Sequence, residues 1–120
     1  MKKSSPRVES LEFNGANYNI GYRITTSEMK SLGLRNNPNI IQYEMNKWIY
    51  PIKNEKFHDD AGGIWLARTL GNAKAYHKYM LRKHHKKTRI FKSLIGKVLF
   101  SNNERLKTDK IYLFEEIFLD

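Results

Sequence analysis

Residues 61–89, AGGIWLARTLGNAKAYHKYMLRKHHKKTR, decide the fold, because a glycine pair, a short apolar strand, a helix and a basic run follow one another there without a break. Gly62 and Gly63 lack the Cβ that makes positive φ costly, so they suit a sharp turn into Ile64-Trp65-Leu66-Ala67, whose bulk is that of a buried strand. Thr69 has the side chain of an N-cap, able to accept from an otherwise unpaired amide of the first helical turn. Behind it Ala73, Tyr76 and Met80 recur at helical spacing on one face, and Lys74, Lys78 and Arg82 on another. The pattern predicts an amphipathic helix with its apolar stripe on the core and its cationic stripe in water. Gly71 weakens the first turn by roughly 1 kcal/mol relative to alanine, which a close approach to a strand or ligand would offset.

After the helix comes Arg82-Lys83-His84-His85-Lys86-Lys87-Thr88-Arg89, where mutual repulsion keeps the cations in solvent and a phosphate backbone would relieve it by releasing counterions. His84 and His85 are adjacent rather than spaced i, i+4, so the pair does not predict a shared metal. Residues 90–92 and 97–101 read as strand pieces with a bend near Gly96, and residues 111–114 as another strand ending at Glu115 and Glu116 in water. Between them residues 102–109 are polar and turn-like.

Toward the N-terminus, Tyr18, Ile20, Tyr22 and Ile24 alternate with Asn17, Asn19, Gly21, Arg23 and Thr25, a period of two that predicts a strand with one apolar face. Asn14-Gly15 is a hairpin turn signal, so residues 11–13 should pair back on that strand. Thr25-Thr26-Ser27-Glu28 has the spacing of a capping box and predicts a short helix through Leu32, stopped by Gly33. Asn37 and Pro38 suit a second helix start, followed by Ile41, Met45, Trp48 and Ile49 at helical spacing up to Pro51. Residues 53–62 should form an exposed loop. There His58, Asp59 and Asp60 supply too few ligands in fixed geometry for a metal.

The expected fold class is therefore α+β: a small mixed or antiparallel sheet of about five strands with two to three helices. A flexible basic arm over residues 1–10 precedes a single domain over residues 11–120. With no cysteine in the chain, disulfides, thiolate metal sites and cysteine nucleophiles are excluded. No apolar run is long enough to span a bilayer, and the opening residues lack an apolar signal core, so the expectation is a soluble, intracellular, cytoplasmic protein without a membrane partner.

Net charge is +10. Residues 71–120 hold 12 Lys/Arg against 5 Asp/Glu and residues 1–70 hold 10 against 7, which places most of the surplus in the second half. A polyanion is the partner this implies, nucleic acid first and an acidic protein or anionic membrane surface second. The candidate nucleic-acid-binding residues are Lys74, Lys78, Arg82, Lys83, Lys86, Lys87 and Arg89, with Tyr76, Tyr79 or Trp65 available to stack on bases. The same charge would suit a small inhibitor that occupies a nucleic-acid channel of a partner protein. Phosphate-binding loops, dinucleotide fingerprints, HExxH motifs and nucleophile elbows are all missing from the sequence.

One constellation remains: Ile20-Gly21-Tyr22-Arg23-Ile24-Thr25, then Gly62-Gly63-Ile64-Trp65-Leu66-Ala67-Arg68-Thr69 with Ala73 and Tyr76, then residues 96–117. In this order the segments resemble a small member of the ADP-ribosyltransferase fold. That resemblance implies NAD as cofactor. It makes Arg23 the anchor for NAD phosphate or ribose, Trp65 or Tyr76 the stacking surface for nicotinamide, and Glu104 the catalytic group. A carboxylate beside the ribose stabilises the cation that develops as the glycosidic bond breaks, and so acts mainly on the transition state.

Overall fold

A computed structural model describes residues 9–33, 40–51 and 63–119. Eight strands form one sheet: β1 (Ser10–Phe13), β2 (Ala16–Thr26), β3 (Trp48–Ile49), β4 (Ile64–Ala67), β5 (Thr88–Ile95), β6 (Val98–Ser101), β7 (Arg105–Thr108) and β8 (Ile111–Ile117). Among the described residues there is a single helix, α1 (Leu70–His84), between β4 and β5. The spatial order is β3-β8-β5-β2-β4-β7-β6, with β1 paired to β2 beside this path. Every strand pair is antiparallel.

The β1–β2 hairpin forms where Asn14-Gly15 predicts it. Both turn residues take positive φ, 50° and 80°, the geometry whose twist matches the flanking strands. From that turn β2 runs the length of the sheet, pairing with β5 from Asn19↔Ile95 to Thr26↔Thr88 and with β4 at Tyr22↔Ala67. Because β4 and β5 both run against β2, they run parallel to each other, and parallel strands need a crossover that leaves the sheet plane. Helix α1 is that crossover, and it packs over β2, β5 and β4.

Alternation along the strands gives the sheet two distinct faces. On the helix side Ile20, Tyr22, Ile24, Ala67, Ile90 and Leu94 meet Ala73 of α1. On the other side Ile49, Ile64, Leu66, Phe91, Ile95, Leu106, Ile111 and Leu113 are covered by Tyr43 together with Met29, Ile41 and Met45 from the segment joining β2 to β3. Gly63 adopts φ 128°, and a Cβ there would collide with the Lys107 side chain; a residue without one is needed where the chain turns into β4.

Eight strands and one helix correct the α+β expectation of about five strands and two to three helices: the chain folds mainly as antiparallel sheet. At Thr25-Thr26-Ser27-Glu28 the local capping signal loses to the ladder, since Thr25 and Thr26 are the last β2 residues paired with β5, and the hydroxyl of Thr26 accepts from the Lys30 amide across a tight turn. The helix expected through Ile49 is also absent. Gln42 bridges Lys30, Met45 bridges Leu113, and Trp48 and Ile49 pair with Tyr112 and Ile111 as strand β3. The turn expected over residues 102–109 contains β7, whose Leu106, Lys107 and Thr108 are buried against β4.

At the N-terminal end Ser10, expected within a flexible arm, belongs to β1, and the carbonyl of Glu9 accepts from the Ile20 amide. The expectations for residues 1–8 of the basic arm and for Asn37, Pro38, Gly62, His58, Asp59 and Asp60 lie outside the described residues. At the other margin, β6 pairs with β7 through a register shift between Val98 and Phe100.

Glu9 also fixes the helix side of the sheet. The buried Tyr22 hydroxyl donates to its carboxylate at 2.8 Å, and Lys92 Nζ lies 3.6 Å away. Burial first, and then the hydrogen bond to Glu9, push the Tyr22 hydroxyl up to about 12 from its usual 10. The unfolded chain releases this proton at lower pH than the folded one, so the contribution is whole below pH 10 and is lost as pH rises toward 12. Denaturant titrations should show stability falling across that window by on the order of 2 kcal/mol more in the natural chain than in Tyr22→Phe. Equal losses in both would show that Tyr22 does not carry the effect.

Candidate nucleic-acid interface

Thr69 caps α1 as its side chain predicts: extended backbone, φ −128° and ψ 161°, and a hydroxyl that accepts from the Asn72 amide at 3.1 Å and donates to Asn72 Oδ1 at 2.7 Å. At the far end His85 takes the left-handed conformation, φ 53°. Its amide donates to Leu81 and the Lys86 amide to Met80, which closes the last turn and swings the chain back into β5. The inward side is set by Ala73 and Met80, both buried, and by His77, whose Nδ1 lies 2.7 Å from the Thr88 hydroxyl. Tyr76, expected beside Ala73 and Met80, is instead 38% exposed. Its ring packs 5.9 Å from that of Tyr79, which in turn contacts His84 at 5.6 Å.

This frame fixes the cations. Lys74, Lys78, Arg82, Lys83, Lys86 and Lys87 are all exposed on the helix and its exit turn. None of them forms an ion pair among the described residues, where the pairs are Lys47–Glu44, Arg89–Glu116 and Lys92–Glu9. The sequence explains the lack of neutralisation: no carboxylate occurs anywhere between Asp60 and Glu104. Arg82 and Lys83 also sit beside the outward carbonyls of the last turn, where positive charge is favourable.

Arg89 does not join the ridge. Alternation along β5 turns it, like Phe91, to the face opposite the helix, where its Nε and Nη2 donate to Glu116 at 2.9 and 2.6 Å and its guanidinium lies over Phe91. The hydrogen bond to Glu116 raises the Arg89 pKa further above its already high value. Glu116, expected in water, is thereby a structural partner.

The residues of the NAD constellation lie on β2, β4, α1 and the β6–β7 turn. Arg23 projects to the face opposite the helix, donating to the Trp65 carbonyl at 2.6 Å with its guanidinium over the buried Tyr43 ring. The Trp65 side chain points to the other face. Tyr76 lies on the helix surface, and Glu104 is in the exposed β6–β7 turn, its carbonyl accepting from the Arg68 amide and its own amide donating to Asn102 Oδ1. A cleft of about 210 Å³ beside His77 and Thr88 is lined by none of the four.

Around Trp65 the structure assembles residues that sequence reasoning passed over. Arg105 lies 4.4 Å and Lys107 5.4 Å from the indole centroid, and the Phe100 ring 5.7 Å. Both cations come from β7, where they alternate with Leu106 and Thr108. That period of two was the available signal, obscured by a polar composition that also suits a turn.

The chain matches no family model, no curated protein and no solved structure. None of the described helices is long and apolar enough to cross a membrane.

Arg89→Ala should lower stability by about 1–3 kcal/mol in urea unfolding, because it strands a largely buried Glu116 carboxylate. Glu116→Gln, which retains an acceptor for Arg89, should cost less. A cost below about 0.5 kcal/mol for Arg89→Ala would mean that the pair is not structural.

Proposed function

We propose that this chain binds nucleic acid through the cationic ridge of α1 and its exit turn, with Lys74, Lys78, Arg82, Lys83, Lys86 and Lys87 as phosphate contacts. The observation that carries the reading is the uncompensated charge: six exposed cations on one continuous segment without a carboxylate partner among the described residues. Such a cluster costs electrostatic free energy in the free protein, and a phosphate chain relieves it while releasing its own condensed counterions. Tyr76 and Tyr79 add aromatic surface to the same helix, as base-stacking proteins do with rings set among cations. Arg89 belongs to the framework rather than the interface. Arg105 supplies a further cation at Trp65.

Phosphate contacts of this kind give affinity that depends steeply on salt and weakly on sequence. Binding of fluorescent DNA and RNA oligomers should be measured by anisotropy over a series of NaCl concentrations. Replacing Lys83, Lys86 and Lys87 together by glutamine should reduce the slope of log affinity against log salt by about 2–3 and weaken binding at least tenfold at low salt. An unchanged slope and affinity in that triple variant would remove the ridge from the binding mechanism.

A further inference from the structure

Among the described residues, the face of the sheet that carries α1 extends beyond the strands on which the helix packs. Beyond the strands under the helix, Phe13 from β1, Tyr18 from β2, Trp48 from β3 and Tyr112 from β8 meet on that face, each only partly buried. They form a closed ring of contacts: Phe13–Tyr18 at 6.5 Å, Tyr18–Trp48 at 5.2 Å, Trp48–Tyr112 at 5.4 Å and Tyr112–Phe13 at 5.0 Å. Phe13 and Tyr18 meet edge to face at 63° and the other three pairs are tilted at 49–58°, an arrangement set by the register of four strands. Lys110 Nζ sits 4.4 Å from the Trp48 centroid and makes the margin of the patch positive.

We infer that this aromatic patch is a stacking platform for the bases of single-stranded nucleic acid, whose phosphates follow the cations of the same face. The inference rests on the ridge reading above and adds strand selectivity to it. Charge selects the occupant. The chain carries a net charge of +10, Lys110 borders the rings, and the carboxylate at the start of β1, Glu9, is already engaged by Tyr22 and Lys92. A surface that joins partly exposed aromatic rings to lysine suits an unpaired, anionic strand with its bases turned outward. A duplex keeps its bases stacked inside and offers such a surface only phosphate.

The test uses Trp48 as its own reporter. In a Trp65→Phe background Trp48 is the remaining one of the chain's two tryptophans. Unlabelled oligothymidylate should quench its fluorescence saturably, following the binding curve obtained by anisotropy, whereas a blunt duplex of equal length should bind without quenching it. Tyr18→Leu and Lys110→Gln, the second a mild change on the patch margin, should each weaken single-strand binding, the first by about tenfold. Tyr18→Leu should leave duplex affinity unchanged.

Saturating single-strand binding with constant Trp48 emission would overturn the platform and leave the ridge standing. Quenching that survives neutralisation of Lys83, Lys86 and Lys87 with unaltered affinity would do the reverse. Emission that responds to protein dilution rather than to the oligomer would assign the patch to a second copy of the chain and also overturn the proposal, as would the failure of any oligomer to bind at low salt.

Discussion

The antiparallel ladder between β2 and β5 is the constraint on which the rest of the molecule depends. Its unbroken register from Asn19↔Ile95 to Thr26↔Thr88 sends Ile20, Tyr22, Ile24, Ile90 and Leu94 to one side and Arg23, Phe91 and Ser93 to the other. A slip of one residue would exchange these sets and bring Arg23 under the helix. The ladder also determines where the helix goes. Since β4 lies on the far side of β2 from β5, the connection must pass over a face, and it carries the cationic segment with it. The position of the ridge is thus a consequence of strand pairing more than of helix propensity.

Charge and packing are segregated by the same arrangement. Ion pairs tie down the framework, as Arg89–Glu116 does on one face and Lys92–Glu9 on the other, while the segment from Asp60 to Glu104 contributes cations without acids. Free ammonium groups in water contribute little to stability individually, and their mutual repulsion opposes it. A fold that keeps them adjacent retains a small electrostatic strain that a polyanion can discharge. A further exposed cation, Arg105, lies over Trp65, so positive charge on the helix side extends past α1 to the outer strands.

What the sequence discloses is what local chemistry decides. Asn14-Gly15, the alternation from Tyr18 to Thr25, the apolar run Ile64-Trp65-Leu66-Ala67 and the Thr69 cap each appear where their residues indicate. The failures occur where a distant partner overrules a local signal. Thr25 and Thr26 read as a helix start but complete a ladder with residues more than sixty positions away. Lys107 reads as solvent-facing, yet its aliphatic stem lies buried beside an indole. Arg23 and Trp65 face opposite sides of the sheet, because the facing of a strand residue is set by register, which no short motif encodes. The ridge was legible since repulsion alone forces it outward. The aromatic patch was not, since it draws on four strands with long intervals between them.

Strand β6 is the outermost member on its side, and it presents Val98, Leu99 and Phe100 to solvent, an apolar margin of the kind that invites another chain to dock edge to edge. The irregularity between Val98 and Phe100 interrupts the even spacing of amides and carbonyls along that border. An approaching strand can match it above the break or below it but not across both. In a protein rich in β-structure with greasy side chains at its rim, such a break works against fibrous extension of the sheet.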